Sequence, residues 1–148
     1  MTIMEINFSV YGSLRNDYLL SFNEFQNLFG KNEQRLEKIK NLLIFLKIFW
    51  SFGCSTIYVA GSFVSIKEFP GDIDVCVDIT TIKYAAFKKE YPEFFKDSGI
   101  RKYQKQLKCH FFFFDTYSTE ILDFFRFDRD GNPRGLVKIS IREMNNYD

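Results

Sequence analysis

Thr56-Ile57-Tyr58-Val59-Ala60-Gly61-Ser62 and, after a loop, Pro70-Gly71-Asp72-Ile73-Asp74-Val75-Cys76-Val77 decide how this chain reads. Thr56 to Ala60 is β-branched, aromatic or small, the make-up of a buried strand. Gly61-Ser62 ends it at once. Pro70-Gly71 marks a turn, and Asp72 to Val77 predicts a second strand. Side chains alternate along a strand, so Asp72, Asp74, Cys76 and Asp78 share one face while Ile73, Val75 and Val77 point into the core. Aspartate suits a strand poorly, and like charges on one face repel. A divalent cation is the natural counter-charge, because Mg²⁺ takes oxygen ligands and is held by one or two carboxylates plus substrate phosphates. A plain solvated strand face after a turn would also carry such a pair. Gly61, lacking a side chain, lets a phosphate approach the backbone, and Ser62 offers a hydroxyl and an N–H. Gly12-Ser13 shows how cheap that dipeptide is alone. The joint pattern, strand, Gly-Ser, then Asp-x-Asp beginning eleven residues after the glycine, favours function over coincidence.

Working outward, Ser21-Phe22-Asn23-Glu24 matches a capping box and opens a short helix ending near Gly30. Asn32 caps a longer helix to about Phe52, with Gly53 placed to end it. Leu36, Ile39, Leu43, Leu46 and Trp50 fall at helical spacing and predict its core stripe. Downstream, Thr81 to Phe95 predicts a helix interrupted near Pro92, and Gln106 to Phe114 a third strand. Ser118 is placed to cap a helix to about Phe127, Asp130-Gly131-Asn132-Pro133 is a turn, and Leu136 to Ile141 predicts a last strand. This order predicts an α+β fold, a small mixed β-sheet with helices packed on it.

The length of 148 residues predicts a single domain over 1–148. Nineteen phenylalanines predict a core built from rings. Twenty basic and 19 acidic residues leave a net charge of +1, which gives no support for tight, non-specific nucleic-acid binding. A local basic run, Arg101, Lys102, Lys105 and Lys108 around Tyr103, could face a phosphate backbone or simply be solvated. Arg126, Arg129, Arg134 and Lys138, around the late turn, could contact a triphosphate or a partner. Cys54, Cys76 and Cys109 form no C-x-x-C pair, which argues for a reducing compartment and against structural zinc. The N-terminus lacks a signal-peptide pattern and no apolar run is long enough for a bilayer, so the expectation is a cytoplasmic protein without a membrane.

Strand, Gly61-Ser62, loop and Asp72-x-Asp74 together resemble the signature of the polymerase-β-type nucleotidyltransferase superfamily. Gly61-Ser62-Phe63-Val64, Pro70-Gly71-Asp72-Ile73-Asp74 and Asp128-Arg129-Asp130-Gly131-Asn132-Pro133-Arg134-Gly135 look like a small prokaryotic family of uncharacterised nucleotidyltransferase-like proteins, over about residues 18 to 141. The resemblance implies a nucleotidyltransferase-like fold and metal-dependent transfer of a nucleoside monophosphate from a nucleoside triphosphate to an RNA or protein acceptor. Gly61, Ser62 and Lys67 would contact the nucleotide, and Asp72 and Asp74 would ligate Mg²⁺ or Mn²⁺. A role in a toxin–antitoxin or phage-defence system, with an antitoxin-type partner protein, is compatible with it. The superfamily adds a third carboxylate from a neighbouring strand, and here the sequence departs. His110 occupies that slot, while Asp115, the alternative, lies at the strand's end on the opposite face. An imidazole suits Mg²⁺ poorly. His110 is therefore either a working catalytic member, a polar filler beside phenylalanine rings, or the mark of a catalytically weak nucleotide- or partner-binding relative.

Overall fold

Ser21 begins the first helix as expected: its hydroxyl accepts from the Glu24 N–H and the Glu24 carboxylate accepts from the Ser21 N–H. A computed structural model describes residues 5–141. In chain order the strands are β1 (Tyr18–Leu20), β2 (Thr56–Ala60), β3 (Ile73–Asp78), β4 (Cys109–Phe114) and β5 (Val137–Ser140). The helices are α1 (Phe22–Phe29), α2 (Glu33–Ser51), α3 (Tyr84–Glu90), α4 (Asp97–Leu107) and α5 (Glu120–Phe125), with 3₁₀ turns at Gly61–Val64 and Pro92–Phe95. The strands form one mixed sheet in the order β1-β5-β2-β3-β4. β2 is antiparallel to both β3 and β5, while β1–β5 and β3–β4 are parallel. The architecture is α+β with a five-stranded mixed sheet, and among the described residues no helix is long and apolar enough to cross a membrane.

Alternation gives the sheet two unequal faces. Ile57, Val59, Ile73, Val75, Val77 and Phe111 are buried in the main core with α1 and α2. Rings fill it: Phe45 and Phe49 of α2 meet Phe111 of β4 edge-on, with centroids 4.8 and 5.3 Å away, and Phe94 packs on all three. On the other face Phe125 of α5 joins Ala60, Cys76, Phe114 and Leu136 in a smaller cluster. Asp74 and His110 have the parity of this second face.

Several elements differ from the sequence expectation. The buried stripe of α2 is Arg35, Ile39, Leu42, Phe45, Leu46 and Phe49, so the helix is rotated from the expected face and Leu36, Leu43 and Trp50 lie on its flank. β1 was not anticipated. Neither was α4, which takes Gln106 and Leu107 out of the expected third strand. Lys108 ends α4 in the left-handed conformation, φ 60°, and the strand starts at Cys109. β3 begins one residue later than expected, leaving Asp72 just before it. α5 is short, with Thr119 rather than Ser118 at its N-cap, because the Ser118 hydroxyl donates to the Glu120 carboxylate instead.

Arg35 explains the rotation of α2. It is 3% exposed, and its five N–H donors all reach carbonyls: Nε that of Glu68, Nη1 those of Phe29 and Phe63, Nη2 those of Ser65 and Lys67. The guanidinium also lies 4.8 Å from the Phe63 ring centroid. A buried charge is tolerated only when every donor is satisfied. Four of these five carbonyls belong to the segment that follows Gly61-Ser62, so α2 grips that loop through one side chain. Arg35→Lys, with three donors on a flexible stem, should lower the unfolding free energy by on the order of 3 kcal/mol. It should also speed amide exchange over residues 63–68. Urea unfolding with hydrogen exchange checks this, and a loss below about 0.5 kcal/mol would contradict it.

Candidate active site

Strand register builds the site. β2 runs directly into Gly61, its antiparallel pairing sets Ala60 opposite Asp74, and the parallel pairing of β3 sets Asp74 beside His110. Turn, carboxylate and imidazole are thereby brought to one end of three adjacent strands. Gly61 is needed twice over. Its φ is +72°, and a Cβ there would stand 2.5 Å from Oδ2 of Asp74. Any other residue would be strained and would displace the carboxylate.

Gly61, Ser62, Lys67, Asp72 and Asp74 line a cleft of about 870 Å³ together with Phe124, Phe127, Asp128, Arg129 and Arg134. Two supports fix the part contributed by residues 124–134. The Asp128 carboxylate accepts from the N–H groups of Asp130 and Asn132, at 2.9 and 2.8 Å, and closes the turn. Gly135 crosses residues 14–17 so closely that a Cβ would overlap the Asn16 carbonyl oxygen, at 2.0 Å. Nearby, Nη1 of Arg126 donates to both carboxylate oxygens of Asp17.

Asp72, Asp74 and His110 each present a ligand atom, all within 4.8 Å of one another, the single such group among the described residues. Gln104 of α4 donates to Oδ2 of Asp72 at 2.9 Å and orients it. Burial, then repulsion from Asp72, raises the Asp74 pKa from 3.8 to about 7, with Arg134 acting the other way. His110 Nδ1 is 3.7 Å from Oδ1 of Asp74, too far for a hydrogen bond. Burial lowers the His110 pKa, against a smaller opposing effect of Asp72, so the imidazole is neutral at pH 7 and this contact is not an ion pair. Two carboxylate oxygens, one of them on a partly buried acid of raised pKa, fit a divalent cation, and the neutral imidazole beside them is either a third ligand, which would favour Mn²⁺ over Mg²⁺, or a free base. Burial also pushes the thiols of Cys54, Cys76 and Cys109 up to about 12, so none is a thiolate at neutral pH.

Of the residues singled out in the sequence, Gly61, Ser62, Lys67, Asp72, Asp74, Arg129 and Arg134 meet in the cleft. His110 joins the two aspartates. Asp115 does not. It follows the far end of β4, five residues and roughly 16 Å beyond His110, where its carboxylate accepts from the Tyr117 N–H. Arg126 is spent on Asp17, and Lys138 lies over Tyr58, 5.9 Å from the ring centroid. The basic run decorates the exposed side of α4, while Tyr103 turns inward and donates to Glu93. Gln104, Phe124 and Phe127 were missed: the first needs the unanticipated α4, and the rings look like core residues in a ring-rich sequence.

The raised Asp74 pKa has a definite sign. Folding takes up a proton between about pH 4 and pH 7, so metal-free stability from this group is full below pH 4, falls across that window and levels off above it. His110, with a lowered pKa, slopes the opposite way, so the readout is wild type against Asp74→Asn. In a chelator at pH 8 the variant should be the more stable by on the order of 2 kcal/mol, and the two should converge near pH 4. Urea unfolding at both pH values checks this; equal stability at pH 8 would contradict it.

No curated protein and no solved structure matches the chain. Residues 6–140, which hold every residue of the cleft, match DUF6932, a family of unknown function, and the chain belongs to that family.

Proposed function

We propose that this protein binds a nucleoside triphosphate with a divalent cation in the Asp72/Asp74 cleft and transfers the nucleoside monophosphate to an RNA or protein acceptor. The observation that carries this reading is the approach of Gly61 to the Asp74 carboxylate, a contact that only a glycine allows. It puts a glycine turn against an acidic pair, in one cleft with Arg129 and Arg134. The accompanying fold reading is nucleotidyltransferase-like, supported by an antiparallel β2–β3 pair carrying both motifs and a parallel β4 beside Asp74.

Asp72 and Asp74 would hold the cation, which would neutralise phosphate charge and polarise the reacting phosphoryl group. The Gly61-Ser62 turn cradles the phosphate tail, and Lys67, Arg129 and Arg134 supply positive charge around it. The acceptor's hydroxyl oxygen bonds to the α-phosphorus as the bond to the β-phosphate oxygen breaks, and pyrophosphate leaves. Neutral His110 is the candidate to take the hydroxyl proton. Asp74 would have to shed its own proton to serve as a ligand, so cation affinity would rise with pH up to about 7.

One observation favours a second reading. The residue beside Asp72 and Asp74 is His110 and not the third carboxylate that the resemblance implies, as would suit a relative that binds nucleotide without turning it over. Labelled-nucleotide transfer with Mn²⁺ or Mg²⁺ decides between them. Under the first reading wild type transfers label, Asp72→Asn and Asp74→Asn abolish transfer, and His110→Ala cuts it about a hundredfold. Under the second, wild type binds without transfer and His110→Asp gains activity. Absence of metal-dependent triphosphate binding in the wild type would sink both.

A further inference from the structure

Two aromatic rings stand open in the wall of the acidic cleft. Phe124 is 68% exposed and Phe127 53%, although folding normally hides such side chains. Both line the cleft that holds Gly61, Asp72 and Asp74. Neither is loosely attached. Phe124 meets Phe125 edge-on at 5.1 Å, and Phe125, at the end of α5, is buried in the smaller core cluster. Phe127 is bridged to Pro133, next to the turn closed by Asp128. Arg134 links the rings to the acidic end: its Nε donates to the Phe125 carbonyl at 2.7 Å, and its charge acts on Asp74.

We propose that Phe124 and Phe127 form the shelf on which the base of the bound nucleotide stacks. This rests on the nucleotide reading above and extends it to the part of the ligand that motif residues do not reach. The cations Lys67, Arg129 and Arg134 complement a phosphate tail, which leaves the apolar part of the wall without a charged counterpart. A flat ring attached to that tail matches it, and a cleft of about 870 Å³ is within the range that encloses whole ligands. No side chain donor or acceptor belongs to the shelf itself. Stacking on a π-face tolerates every base and strengthens binding by about tenfold or more, so the shelf selects nucleotides over bare polyphosphate and not one base over another.

The test is calorimetry with Mn²⁺, comparing inorganic tripolyphosphate with the four ribonucleoside triphosphates. Wild type should bind each nucleotide about tenfold more tightly than tripolyphosphate. The double variant Phe124→Ala with Phe127→Ala should bind nucleotides and tripolyphosphate alike, at the wild-type tripolyphosphate affinity, which shows that the cleft is otherwise intact. Phe124→Trp should keep the preference, and its emission should be quenched by nucleotide and not by tripolyphosphate; the one native tryptophan, Trp50, lies on α2. Tripolyphosphate bound as tightly as nucleotide by the wild type, or a preference that survives the double substitution, would overturn the shelf alone. Failure of the wild type to bind either ligand would overturn the nucleotide reading and the shelf with it.

Discussion

The close approach of Gly61 to the Asp74 carboxylate is the constraint around which the cleft end of this molecule is arranged. It follows from a single register, Ala60 opposite Asp74, and it survives only because residue 61 carries no Cβ. Burial, then the neighbouring charge of Asp72, brings the Asp74 pKa to about 7. A protein selected for stability alone would place an asparagine or an aliphatic residue there. Retaining a partly buried acid with a second acid beside it stores unfavourable energy that a cation would release.

The supports of this arrangement come from behind the sheet. Arg35 reaches from α2 to the carbonyls of Phe63, Ser65, Lys67 and Glu68, and so fixes the loop between the glycine turn and the aspartates. Gln104 reaches from α4 to Asp72. Both helices are seated by rings, with Phe45 packed on Tyr103 at 4.9 Å and on Phe111 at 4.8 Å. The aromatic core and the polar site are thus mechanically connected. A site held to such geometry by elements outside its own cleft has the character of a preorganised one.

This explains which parts of the molecule were legible in its sequence. β2, β3 and the capped helices α1 and α2 carry local signals: β-branched runs, an alternating Asp-x-Asp strand, a capping box. The convergence of Gly61-Ser62 with Asp72 and Asp74 was read from the joint spacing of the two motifs and from the resemblance that spacing carries. β1 carries no such signal, since three residues hold no periodicity and its partner β5 lies more than a hundred positions away. α4 was hidden by Asp97-Ser98-Gly99, which looks like a loop, and by a basic run that looks like surface. The rotation of α2 was invisible because hydrophobic patterning cannot count an arginine as a core residue, although five carbonyls make Arg35 one.

The most direct measurement of the central claim is anomalous diffraction from crystals soaked in Mn²⁺. The account predicts one strong peak in the cleft, bound by carboxylate oxygens of both Asp72 and Asp74, with His110 adjoining and Gly61 still against Asp74. A structure with manganese at high occupancy elsewhere and these two aspartates unligated would contradict it.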